Sequence, residues 1–125
     1  MNKRIVGSHY EELACRYLEE RGFRIAARNF RSRSGEIDII GYHDNFLVFV
    51  EVKYRTTKRS GNPEEAVGPA KQKRICRTAD YYRFLHRYPE NKPVRYDVIG
   101  MEGVEEDIQV RWYKNAFAHV SGKYF

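Results

Sequence analysis

Two short apolar runs, Gly35-Glu36-Ile37-Asp38-Ile39-Ile40 and Leu47-Val48-Phe49-Val50-Glu51-Val52-Lys53, stand on either side of His43-Asp44-Asn45-Phe46. Runs this rich in β-branched and aromatic residues read as strands. Asp44-Asn45 supplies the tight turn between them, because Asp and Asn tolerate the positive φ that two-residue loops require. A hairpin register follows in which His43 faces Phe46, Ile40 faces Phe49, Asp38 faces Glu51 and Glu36 faces Lys53. Strand side chains alternate, so Ile37, Ile39, Val48, Val50 and Val52 share the opposite side. Both faces are apolar enough to need cover, which predicts packing layers above and below the ribbon.

Two acids and a lysine inside such runs are costly unless paired, because desolvating a charge costs several kcal/mol. Cross-strand Cβ atoms lie roughly 5 Å apart, so Asp38 and Glu51 repel unless something positive sits between them. A hard divalent ion, Mg²⁺ or Mn²⁺, answers that need with oxygen ligands from one or two carboxylates and leaves positions for water. Lys53, on the same face, is placed to orient an attacking water or to stabilise charge on a phosphate. The plain alternative is a solvated face, where Glu36 opposite Lys53 is an ordinary surface ion pair. The presence of Ile40, Phe49 and Leu47 on that face argues for burial instead.

The rest of the chain supplies the cover. Tyr10, Leu13, Ala14, Tyr17 and Leu18 form an apolar stripe on a helix over about 7–21, with Glu11 at its border and Glu12 turned to solvent. A strand is expected over 23–30 and a short helical turn over 64–67. A longer helix runs from Pro69, acceptable at the first helical position, to about Tyr88, with Ile75, Ala79, Tyr82 and Leu85 toward the core. Strands are expected over 94–100 and 107–113, with a loosely packed tail over 115–125. Asp97 reads as a partner of Arg95 or of a turn amide, with a role as a further site acid as the alternative. The order αβββαββ gives an α/β protein with a mixed central sheet flanked by helices, and 125 residues, 42% hydrophobic, suit one domain over 1–125.

A net charge of +6 makes an acidic polymer a natural partner, although many proteins are basic without one. Its placement says more. Arg31 and Arg33 precede the first run, and Arg55 and Lys58 follow the second, so both basic segments leave the hairpin at one end and flank the acids. Contacts of this kind bind phosphates regardless of sequence and weaken with salt. Lys71, Lys73, Arg74 and Arg77 crowd the start of the second long helix against its dipole, which suits a nearby phosphate or acid, or else a solvated face. Cys15 and Cys76 show no zinc spacing or disulfide framework, which fits a reducing cytoplasm. No apolar run approaches membrane-spanning length, and no signal peptide is expected at the amino terminus. The four histidines are scattered, and none is assigned to the site.

Asp38 followed by Glu51-Val52-Lys53 resembles the PD-(D/E)xK motif of restriction-endonuclease-like and Holliday-junction-resolvase-like nucleases. More narrowly, the chain resembles the YraN family. The stretches that carry this are Tyr10-Glu11-Glu12-Leu13-Ala14, Ala27-Arg28-Asn29, Gly35-Glu36-Ile37-Asp38, Val48-Phe49-Val50-Glu51-Val52-Lys53, Pro69-Ala70-Lys71-Gln72, Arg95-Tyr96-Asp97-Val98 and Asn115-Ala116-Phe117. The resemblance implies a restriction-endonuclease-like core and a magnesium site of Glu11, Asp38 and Glu51. Lys53 joins these three as a catalytic residue, Lys71 and Gln72 lie at the edge, and Glu36 is a secondary candidate. It also ranks DNA ahead of RNA as partner. One departure stands out: Tyr10 occupies the place where the family usually has Gly before the first-helix acid.

Three functions are therefore expected to compete: a metal-dependent endonuclease of structured or branched nucleic acid, a non-catalytic nucleic-acid binder, and a protein-interaction module. The intact Asp, Glu-x-Lys set favours the first, and the basic arms disfavour the third. Substrate and oligomeric state stay open, a homodimer being the arrangement that suits a symmetric junction.

Overall fold

A computed structural model describes residues 3–55 and 67–120, with side chains from His9 onward except that of Glu105. Helix α1 (Lys3–Glu20) leads into three strands, β1 (Arg24–Ser32), β2 (Gly35–His43) and β3 (Phe46–Arg55). Helix α2 (Pro69–Leu85) then precedes β4 (Val94–Glu102), a single 3₁₀ turn (Glu105–Asp107) and β5 (Gln109–Phe117). The expected order αβββαββ holds. The expected short turn over 64–67 falls mostly outside the described residues, as does Lys58.

The five strands lie in chain order, β1-β2-β3-β4-β5. All neighbours are antiparallel except β3 and β4, which are parallel. The sheet is mixed because α2 intervenes between β3 and β4, and a parallel pair needs such a crossover. The hairpin turn forms as its residues demand, with φ of 50° at Asp44 and 68° at Asn45.

Each face has its own core. Ala14, Cys15 and Leu18 of α1 pack with Phe23, Ile39, Val48, Val50, Ile99 and Met101. On the other face, Ile75, Cys76, Ala79 and Tyr82 of α2 pack with Ile37, Ile40, Leu47, Phe49, Tyr96 and Val98. Fully burying an aliphatic or aromatic side chain is worth about 1.5–3 kcal/mol, so these two layers hold both helices to the sheet. Leu85 departs from its expected place: it is the last residue of the helix and is 47% exposed.

One further departure sits in the last strand. Asn115-Ala116-Phe117 is not a loose tail; it completes β5, with Ala116 and Phe117 buried. The extension rests on a bulge, where the register jumps between Tyr96↔Phe117 and Val98↔Tyr113. Asn115 takes φ of 53° there, and its amide donates to Asp97 Oδ1 at 2.9 Å. Asp97 is fully buried, and Arg95 Nε and Nη2 grip its carboxylate at 2.9 Å each while Trp112 Nε1 donates at 2.8 Å. It is the structural partner of Arg95 and of a backbone amide.

Candidate active site at the parting of two strands

The ladder between β2 and β3 runs from His43↔Phe46 through Ile40↔Phe49 and stops at Ile39↔Val50. Beyond it, β2 stays paired with β1 down to Ser32↔Gly35 and β3 with β4 up to Arg55↔Glu102. The expected pairing of Glu36 with Lys53 therefore does not occur. Asp38 sits where the strands part, and its Oδ2 accepts the Val52 amide at 2.8 Å. A side chain thus replaces a lost backbone acceptor, as a buried N–H requires.

Side-chain alternation breaks at the same place. Ile37 joins the α2-side core and Ile39 the α1-side core, so Ile37 does not share a face with Ile39 as regular pleating predicts. Across from Asp38 in β1, Asn29 takes φ of 53°; Asn is among the few non-glycine residues that adopt this geometry.

Glu51 is the buried acid, 8% exposed. Burial raises its carboxyl from 4.5 to about 8, aided by hydrogen bonding to and repulsion from Asp38 and opposed by Lys71 and Lys53. Lys71 Nζ lies 3.4 Å from Glu51 Oε2. This acid explains why α2 tolerates a cation in its first turn. Burial lowers the ammonium of Lys53, and the neighbouring Lys71 lowers it further, while Glu51 and Asp38 pull it back up. For Lys71, burial is outweighed by Glu51, Lys53 and Asp38, which together raise it.

Glu11 approaches from α1. Its carboxyl is raised by partial burial and by Asp38, against Arg28. With the Asn29 amide nitrogen turned toward the acids, it donates to Glu11 Oε1 at 2.6 Å and to Glu36 Oε1 at 3.1 Å. Glu36 also lies 3.6 Å from Arg31 Nε. Glu12 lies toward solvent as expected, where it pairs with Arg28 at 2.9 Å and Arg16 at 3.6 Å. Tyr10 stacks on Tyr54 with ring centroids 3.6 Å apart, which closes the joint between α1 and β3 one residue past Lys53.

The structure thus gathers Asp38, Glu51, Lys53 and Lys71, and sets Glu11 and Glu36 at the side, tied by Asn29. Among the described residues no three His, Cys, Asp or Glu side chains converge as a ready-made metal cage. The donor set still fits a hard cation, because two carboxylates meet and one is strained by its neighbour's charge. Gln72 faces inward, its Nε2 donating to Val67 O at 2.7 Å. Arg33 is exposed and Arg55 half-buried at the same end. Asn29 is the residue that pattern reading left unassigned, although Ala27-Arg28-Asn29 is among the stretches that carry the family resemblance.

Architecture and geometry define the class first: a mixed α/β protein with an Asp, Glu-x-Lys constellation at a strand parting. The chain belongs to the family described as uncharacterised protein family UPF0102, whose profile matches residues 10–101, and this is the YraN family of the motif resemblance. A UPF0102 protein of Lachnoclostridium phytofermentans is 50% identical over 94% of this chain and 96% of its own length. One from Symbiobacterium thermophilum is 45% identical over 91% and 97%. One from Nitrosococcus oceani is 40% identical over 89% and 90%. No helix among the described residues is long and apolar enough to cross a membrane.

Proposed function

We propose that this protein is a Mg²⁺- or Mn²⁺-dependent endonuclease acting on structured or branched nucleic acid, DNA ahead of RNA. The observation that carries the reading is the Asp38–Glu51 pair, in which a buried carboxyl is driven up to about 8 beside a second acid. Asp38 and Glu51 would hold the ion, and Glu11, once released from Asn29, would complete the site through water. When bound, such an ion neutralises the acid pair and activates water for attack on a phosphodiester. Lys53, with its proton affinity lowered by burial and by Lys71, orients that water or donates to the developing charge. Lys71 holds Glu51 in place and would be free to meet the phosphate if a cation took over the carboxylate. Arg31, Arg33 and Arg55 grip the flanking phosphates without reading bases. Two buried free cysteines support a reducing, cytoplasmic setting.

One observation favours a second reading, a binder without catalysis: Lys71 already partners Glu51 at 3.4 Å, so the acid pair has a cation of its own. A cleavage screen with Mg²⁺ and Mn²⁺ on linear, flap, four-way-junction and single-stranded substrates separates the two. Cleavage by the parent and none by Asp38→Asn or Lys53→Ala supports the enzyme; binding without cleavage by the parent leaves the binder.

A further inference from the structure

The exposed face of α2 is not used by the core or by the acid site. Arg74, Arg77, Tyr81 and Phe84 recur at helical spacing along it, and all four are exposed, Tyr81 by 43% and Phe84 by 77%. Its start lies at the acids, since Lys71 contacts Glu51. Its course is fixed by β1 and the start of β2: a side chain built at Gly35 would lie 3.7 Å from Arg74 Cβ, Ser32 Oγ donates to Thr78 Oγ1 at 3.3 Å, and the Tyr81 and Phe30 rings are 6.2 Å apart. At 1.5 Å rise per residue, Arg74 to Phe84 spans roughly 15 Å, or about four nucleotides at the spacing of a stacked strand.

The charge on this face is of one sign. Arg74, Arg77, Lys73 and Arg33 have no carboxylate within ion-pair distance among the described residues, and the helix's own Asp80 turns away to Arg83 at 3.6 Å and His119 at 3.5 Å. A second copy of the chain would bring more of the same charge to the surface. A polyanion neutralises it. Two guanidinium groups followed by two open aromatic rings match phosphates and then unstacked bases, and a duplex offers base faces only at its ends.

We infer that Arg74, Arg77, Tyr81 and Phe84 form a track that binds an unpaired strand of nucleic acid leading away from Glu51 and Asp38. The direction of the track rests on the nuclease reading; the binding does not. It assigns the substrate a single-stranded segment beside the cleaved position, with no base sequence specified.

The test is fluorescence anisotropy in EDTA, which separates binding from cleavage, using a labelled oligothymidylate of about 12 nucleotides and a blunt duplex of equal length. Tyr81→Ala with Phe84→Ala removes the open Phe84 ring and the half-exposed Tyr81 ring with its contact to Phe30, and should weaken oligothymidylate binding about ten-fold or more while changing duplex binding less than about two-fold. Tyr81→Phe with Phe84→Trp keeps the rings and should keep the affinity. Arg74→Ala with Arg77→Ala should weaken both ligands and flatten the salt dependence. Unchanged oligothymidylate binding by the double alanine variant would overturn the track, as would an equal loss on both ligands. A dimer that becomes a monomer in sedimentation on the same substitution would overturn it too, assigning the face to contact between copies. A parent that discriminates between the ligands yet cleaves nothing in Mg²⁺ keeps the track and removes the nuclease; cleavage without discrimination does the reverse.

Discussion

Glu51→Gln should stabilise the metal-free protein. The ordinary carboxyl value of 4.5 rises to about 8 in the fold, and each pKa unit is worth about 1.4 kcal/mol. A carboxyl raised by folding leaves stability intact below the unfolded value and removes it as pH climbs toward the folded one. The parent therefore loses nothing from this group near pH 4, roughly 3 kcal/mol near pH 7, and roughly 5 kcal/mol above pH 8. Glutamine is nearly isosteric and has no proton to lose. It also takes away the partner of Lys71, whose side chain is 35% exposed and so largely recovers its loss in water. The net gain near pH 7 is then about 1–3 kcal/mol, several degrees in melting temperature for a chain of this size. Urea unfolding at pH 5, 7 and 8.5 measures it, and the gap between variant and parent should widen with pH. Mg²⁺ should narrow the gap by stabilising the parent alone. A variant less stable than the parent at pH 8.5 would show that Glu51 is a structural ion partner and would refute the argument.

Asp97→Asn should cost about 3–5 kcal/mol, because it strands the buried Arg95 and weakens the contact that holds the β5 bulge; the urea midpoint measures this, and the loss should be insensitive to Mg²⁺. Gly41→Ala should destabilise by several kcal/mol or abolish folding, since an added Cβ would collide with the Arg24 carbonyl and the Phe23 ring; a thermal melt checks it. Replacing Arg31, Arg33 and Arg55 together should weaken polyanion binding regardless of sequence and reduce its salt slope by up to about three charges, read by titration at several salt concentrations. Asn29→Ala takes a shared donor from Glu11 and Glu36 and places at φ of 53° a residue that disfavours it, so it should cost about 1–3 kcal/mol, read from the urea midpoint.

Much of the architecture is determined locally, which is why the sequence alone carries it. Asp44-Asn45 admits one kind of turn, and the stripe from Tyr10 to Leu18 is a helical face wherever it packs. Pro69 marks the start of α2, and the pairing of Asp97 with Arg95 follows from two residues on one side of one strand. The charged residues inside apolar strands also announce a site, since only partners justify their burial. What pattern could not decide is where pairing stops. The β2–β3 ladder ends at Ile39↔Val50 while β2 stays paired with β1 and β3 with β4. That parting frees Asp38 to take the Val52 amide and sends Glu36 to Asn29 instead of Lys53. Lys71 reaches Glu51 only because α2 crosses back over the sheet to reach β4, and the last strand runs to Phe117 only because Asp97 caps its bulge. Each of these depends on residues distant in sequence meeting in a crowded interior, where a single unsatisfied amide or unpaired charge outweighs any local preference.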